Sequence, residues 1–405
     1  MLKSALPLFT LKGKKLLPIV QGGMGVGISA HRLAGSVAGF GAVGTVSAID
    51  LRRHHPDLMA ATSGKKCLDK SKIDAANLVA LDREVRAAKR LAAGAGMVAV
   101  NVMRAVSEYP AYVRQSCESG ADAVVVGAGL PLDLPELTAD HPGVALIPIL
   151  SDVRGISLLL KKWLRRKRLP DAIVIEHPRY AGGHLGASRI DELGDGRFDF
   201  EPVLEGVFAL FRELGIEREN LPLIPAGGIN THERICALIG MGASAVQLGT
   251  AFAVTEEGDA HPDYKKVLAE ARPEDIVTFM SVAGLPARAV RTPWLENYLK
   301  REARLQANAA PMDRCTLAFD CLISCGLRDG NLKAGQFCID TQLAAALRGD
   351  VKKGLFFRGS ESLPFGAAIR PVRELLTYLL NGEMPAVCAH STEQWVGELA
   401  LGAAH

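Results

Sequence analysis

No run of about eighteen continuous apolar residues, the length a membrane-spanning helix needs, occurs in this chain, and its N-terminus has no charged region followed by an apolar signal core. A cytoplasmic protein without a membrane partner is expected. Charge of one sign is also lacking: 47 Lys and Arg stand against 44 Asp and Glu, and a formal net charge of +3 gives no electrostatic reason to expect nucleic acid as a partner. The one strongly basic run, Lys161 to Arg168, reads as a solvated helix face. Eight cysteines in 405 residues are too sparse for a secreted disulfide scaffold, so most are expected to be reduced. Internal repeats and low-complexity tracts are absent as well.

What the chain does have is apolar content. Hydrophobic side chains make up 48% of it, enough to bury a sizeable core. Short β-branched runs recur, each followed by a helix-compatible segment, the signature of βα units around a parallel sheet. Eight are visible, at residues 16–21, 42–47, 97–102, 123–127, 145–150, 172–176, 222–226 and 245–248. Their near-continuous apolar character suits strands buried on both faces, and the number favours a closed (β/α)8 TIM barrel over an open sheet. The expected organisation is a barrel over residues 1–252 with a helical insertion at about 50–96. A smaller, mainly helical cap over 253–349 carries a cysteine cluster, and a C-terminal segment over 350–405 returns to the barrel. The amphipathic stretch Val372 to Leu380, followed by Gly382, is the expected returning helix.

The first strand runs into a glycine cluster that can be read two ways. Gly25, Gly27 and Ala30 satisfy the G-x-G-x-x-G/A pattern of a dinucleotide-binding turn, with Asp50 about twenty residues on, where such a fold holds a ribose. The same stretch could be the first strand end of a barrel. The later strand ends decide for the barrel. The seventh unit ends Ala226-Gly227-Gly228-Ile229, and the eighth ends Gln247-Leu248-Gly249-Thr250. Both put glycines where backbone N–H groups approach a phosphate unhindered, and the loops after strands seven and eight are a recurrent phosphate site in barrels. The sixth unit ends with Glu176 and continues to Ala181-Gly182-Gly183-His184-Leu185-Gly186. Two glycines let the chain lie close to a flat ligand, and the imidazole that follows suits proton transfer near neutral pH. At the end of the third strand, Asn101 offers both a donor and an acceptor, matching the mixed edge of a pyrimidine-like ring.

In their order along the chain, these motifs resemble the nitronate monooxygenase family, also called 2-nitropropane dioxygenase, which is related to the FMN-dependent enoyl-acyl-carrier-protein reductases. The resemblance is good from about residue 16 to 250 and looser to the final helix. It implies FMN held non-covalently at the strand ends. By motif, Gly22, Gly23 and Met24 would lie along the flavin ring, Asn101 would bond near the ring or ribityl chain, and Gly182 and Gly183 would pass close to the cofactor. Gly227, Gly228, Gln247, Leu248, Gly249 and Thr250 would cradle the phosphate, with Ala226 and Glu176 completing the cofactor-binding set. His184 matches the family's active-site histidine. The implied reaction oxidises an alkyl nitronate with O2 to a carbonyl compound and nitrite. The alternative on the same site is reduction of an enoyl thioester or quinone by NAD(P)H.

Two features depart from the family pattern. Glu176 stands where a glutamine is common, and Arg179 is the candidate partner for its charge. Cys315, Cys321, Cys325 and Cys338 form C-x5-C-x3-C-x12-C, a set that could hold zinc or an iron–sulfur cluster, or make the chain an electron-transfer or redox-sensing protein. The spacing has no close C-x2-C pair, and cysteine also packs as a small hydrophobe, so no metal is assigned from sequence.

Overall fold

Eight strands that are apolar on both faces need cover inside and out, and closing them into a barrel provides it. The computed structural model describes residues 1–64 and 69–385. Its barrel strands are β1 (Ile19–Gln21), β2 (Val43–Ser47), β3 (Met97–Met103), β4 (Ala123–Gly127), β5 (Ala145–Leu150), β6 (Ile173–Glu176), β7 (Leu223–Ala226) and β8 (Val246–Leu248). All neighbours pair in parallel, and β8 returns to β1 to close the barrel. The register sets Ser47 beside Asn101, Ala226 beside Glu176 and Leu248 beside Gln21, so the C-terminal strand ends form one rim. Buried Gln21 ties two of them together: its amide accepts from Thr45 N at 2.8 Å and donates to Thr45 O at 3.1 Å.

The barrel interior is filled by Val20, Val43, Met97, Val125, Ile147, Val174 and Ile224. Phe9, Leu11 and Leu16 belong to the same cluster. They come from an antiparallel hairpin, Phe9–Leu11 with Lys14–Leu16, that precedes β1 and plugs the N-terminal end. The first apolar run therefore splits: Leu16 ends the plug, and β1 starts three residues later at Ile19.

Around the outside, helix His31–Gly39 packs on β2 and on the long helix Lys70–Ala92. The approach to β2 is close enough that a Cβ on Gly44 would sit 1.8 Å from the carbonyl oxygen of Ala34. The basic run lies at the end of helix Val153–Leu164, where Trp163 is fully buried while Lys161 and Arg166 pair with Glu213 and Glu136 at the surface. Helix Val372–Asn381 returns to the barrel with Leu375, Leu376, Leu379 and Leu380 buried, and ends at Gly382 in the left-handed conformation. Among the described residues no helix is long and apolar enough to cross a membrane.

The chain after β8 also holds an antiparallel hairpin that the sequence pattern does not reveal, Ile276–Met280 with Pro286–Val290. A two-residue strand, Gly183–His184, adds to its edge. Replacing Gly44 with Ala should destabilise the fold by about 2–3 kcal/mol, since backbone rather than a movable side chain blocks the new methyl. Urea unfolding checks this, and an unchanged midpoint would contradict the packing described.

Candidate active site

The rim formed by the C-terminal strand ends opens into a cavity of about 700 Å³, within the range of cofactor and ligand pockets. Every binding or catalytic residue expected from sequence lines it: Gly22, Gly23 and Met24 after β1, Asn101 in β3, and Glu176 closing β6. Gly182, Gly183 and His184 follow on the β6 loop, with Ala226, Gly227 and Gly228 after β7 and Gln247, Leu248, Gly249 and Thr250 after β8. Of the four clustered cysteines only Cys321 reaches its wall.

Several glycines here are required by geometry. Gly227 and Gly228 have φ of +94° and +71°, and a Cβ on Gly228 would meet the Tyr180 ring at 2.8 Å. A Cβ on Gly23 would overlap Asn101 at 2.3 Å, and one on Gly182 would strike the backbone of Arg358 at 2.5 Å. At Gly249 the situation differs, because a Cβ would make only ordinary contact, with Met24 Sδ at 3.7 Å as its nearest neighbour. Among the described residues, the N–H groups of Gly228, Gly249 and Thr250 donate to no other loop or side chain. The Thr250 hydroxyl accepts from Gly359 N at 3.0 Å, leaving its own proton to donate inward. Gly359 belongs to a turn shaped by buried Arg358, which donates to Leu268 O, Gly359 O and Glu361 O. The result is a small backbone cradle, open on the cavity side and suited to an anion.

His184 is held by its backbone. It pairs with Ala287 across the added strand, and Leu185 N donates to Pro286 O at 2.8 Å. Its ring meets the edge of Phe357 at 5.6 Å between centroids, and its buried Nε2 has no partner among the described residues. Burial pushes its pKa down to about 4, so the imidazole is neutral at neutral pH.

Glu176 behaves differently from expectation. Arg179 is exposed and reaches toward Gly194 O, so it does not pair with Glu176. Among the described residues nothing compensates a charge there, and burial pushes the carboxyl up to about 7. Protonated, it can donate a hydrogen bond as a glutamine amide does, which makes the departure from glutamine chemically small.

The dinucleotide reading of the first glycines fails on two counts. The N-terminus of helix His31–Gly39, which would face a pyrophosphate, is taken by Asp259, whose carboxylate accepts from Ala30 N at 2.8 Å and Leu33 N at 3.1 Å. Asp50 is buried in ion pairs with Arg52 at 2.7 Å and Arg53 at 2.5 Å. Arg53 also holds Asp340, which lines the cavity.

Sequence reasoning missed the apolar wall of Met103, Ile149 and Leu150, although examining every strand end would have found it. It also missed Tyr180, Phe357 and Arg358, and Asp340 with Leu343. The last four come from segments remote in sequence that carry no motif.

A closed parallel barrel with a large cavity at the C-terminal rim defines a (β/α)8 barrel protein whose site lies where such barrels carry their chemistry. The family can be named more closely. The nitronate monooxygenase family profile matches residues 10–382. The chain belongs to that family. It is similar to a nitronate monooxygenase of Pseudomonas aeruginosa, 36% identical over 120 residues, which is 30% of this chain and 31% of that protein. A probable nitronate monooxygenase of Bacillus subtilis is 31% identical over 133 residues, 33% of this chain and 35% of the relative. The matches thus span about a third of the length of these curated relatives. In fold, the chain resembles FabK from Thermotoga maritima, with a TM-score of 0.60 at 22% identity over 94% of this chain and 95% of that one. It also resembles a nitroalkane oxidase from Streptomyces ansochromogenes, with a TM-score of 0.59 at 19% identity over 90% and 94% of the two chains.

The neutral state of His184 is directly measurable. Its ring should titrate near pH 4 in an NMR titration of the histidine side chains, assigned with His184→Asn; a midpoint near the ordinary 6.5 would contradict the burial described.

Proposed function

We propose that this chain is an FMN-dependent nitronate monooxygenase, oxidising alkyl nitronates with O2 to carbonyl compounds and nitrite. The observation that carries the reading is the combination, in one cavity, of an open backbone cradle at Gly228, Gly249 and Thr250 with a neutral, unpartnered imidazole at His184. The cradle suits the phosphate of a mononucleotide. Gly22, Gly23 and Met24 would lie along the ring, and Asn101 would bond its polar edge. Bound flavin supplies the electron chemistry that no side chain here can.

The protein's own groups do the rest. Neutral His184 takes the α-proton of a nitroalkane at its free ring nitrogen, or donates its single N–H to an oxygen of a preformed nitronate. It acts at neutral pH as a neutral group rather than as a cation. Glu176, neutral below about pH 7, adds a hydrogen bond without placing a negative charge beside an anionic substrate. Met103, Ile149 and Leu150 offer an apolar surface for the alkyl part. That wall is also the observation that favours a second reading, reduction of an enoyl thioester or quinone by NAD(P)H, since an acyl chain would pack there equally well.

Anaerobic mixing separates the two. The flavin should bleach with propionate-3-nitronate and stay oxidised with NADH; the reverse pattern would overturn the assignment in favour of the reductase. His184→Asn should keep its flavin while turnover falls about 100-fold or more. With a preformed nitronate, kcat/KM should decline as pH rises through about 7, because Glu176 then becomes a carboxylate facing an anion. Glu176→Gln should abolish that decline, and its persistence in the variant would remove Glu176 from the account.

A further inference from the structure

The stretch between helices Glu302–Ala307 and Ile339–Leu347 holds only one four-residue helix, Gly326–Asp329. It is well beyond the roughly 12–15 residues at which unstructured loops become uncommon in a compact domain. It has little apolar core of its own. Phe319, Leu322 and Phe337 are buried against the body of the protein, whereas Met312, Ile323 and Leu332 are exposed. It carries four partly buried cysteines instead. The thiol of Cys321 lies within electrostatic range of Cys315, Cys325 and Cys338 together, and Cys338 is likewise within range of Cys315.

The backbone that carries these thiols is fixed at several points. Leu322 bridges to Val106, Ile323 N donates to Ala105 O at 2.9 Å, and Ser107 N donates to Cys321 O at 3.1 Å, so the Cys321 turn is docked on the loop after β3. Gly326 N and Gly335 N donate to Val282 O and Ser281 O in the turn of the antiparallel hairpin. Arg328 gathers the carbonyls of Leu322 and Ile323 at 2.9 and 2.8 Å. Cys338 immediately precedes the nine-residue helix Ile339–Leu347, and its sulfur accepts from Thr341 Oγ1 at 3.2 Å. All four thiols are free of disulfides.

We propose that Cys315, Cys321, Cys325 and Cys338 ligate a four-iron iron–sulfur cluster in the wall of the active-site cavity. A single ion is the poorer match. Zinc draws its thiolates to about 2.3 Å from one centre, and among the described residues no three His, Cys, Asp or Glu side chains are grouped as one ion requires. A four-iron cluster takes its four thiolates on separate irons rather than on one ion, and the Thr341 hydroxyl and helix N-terminus at Cys338 are the kind of sulfur contacts that stabilise one. The charges around the site balance locally: Asp340 is held by Arg53, Asp320 and Asp329 by Arg328, and Arg52 lies over the Phe319 ring at 5.6 Å. Cys321 is the thiol on the cavity wall, which sets the cluster beside whatever occupies the cavity. The proposal stands independently of the nitronate assignment.

The test is metal and sulfide analysis of the full chain, produced with an ample iron and sulfide supply and purified without oxygen. The expected result is about four irons and four acid-labile sulfides per chain, with an electron paramagnetic resonance signal on dithionite reduction. Cys321→Ser and Cys338→Ser should each lose most of the iron, while Cys236→Ser, at an exposed cysteine remote in sequence from the four, should keep it. The wild-type measurement decides the matter even if a variant fails to fold. Stoichiometric zinc, disulfide pairs among the four found by mass spectrometry, or four freely titrating thiols without iron would each overturn the proposal.

Discussion

The cavity depends on bare backbone at the ends of β6, β7 and β8. Gly182, Gly227, Gly228 and Gly249 occupy that rim, and three of the four are there because neighbouring atoms or a positive φ leave no place for a side chain. Gly249 differs, since a Cβ there would meet only the Met24 side chain, at ordinary contact distance. A rim built this way exposes N–H groups rather than methyl groups, which is what an anion needs and what an apolar core cannot provide. The barrel beneath contributes rigidity: parallel strands set in one register hold the glycines of separate loops at one level.

A second constraint lies above the rim. His184 gains its fixed position by joining, as a two-residue strand, a hairpin that comes roughly a hundred residues later in the chain. Its backbone is fixed by pairing, and its side chain is left against Phe357 with, among the described residues, nothing charged to hold its proton. The same burial acts on Glu176, in the opposite sense with respect to charge: it raises the carboxyl to about 7, so that both groups are neutral on the acid side of that value. Below about pH 7 the cavity thus contains acid–base groups without carrying their charges, an arrangement that favours an anionic guest.

Much of this was legible in the sequence. The eight strands stand out because a strand buried on both faces must be apolar throughout, and the glycines that end it interrupt the run sharply. The splitting of residues 16–21 was hidden because plug and barrel strand are both apolar there, separated only by Leu17 and Pro18. The hairpin that holds His184 was hidden for a different reason. Pro286–Val290 is buried along its whole length yet contains Arg288, whose guanidinium is spent on the carbonyls of Pro178 and Ala181. Nothing in a one-dimensional pattern distinguishes such an arginine from a surface one. The pairing of Glu176 with Arg179 failed similarly: three residues apart in sequence, they diverge where the chain leaves β6, and Arg179 turns outward. The dinucleotide pattern was a coincidence of glycines, and the helix it would have used is already capped by Asp259 from the far side of the barrel sequence.

The proposed function requires the strand-end glycines to hold the phosphate of a mononucleotide. The most direct measurement compares FMN with riboflavin, identical except for that phosphate, binding to flavin-free protein by fluorescence quenching. The account predicts that FMN binds at least about 100-fold more tightly, a difference of about 2.7 kcal/mol from charge-assisted hydrogen bonds, and that Gly249→Val brings the two affinities together. Equal affinities in the unaltered protein, or a preference that survives the substitution, would contradict it.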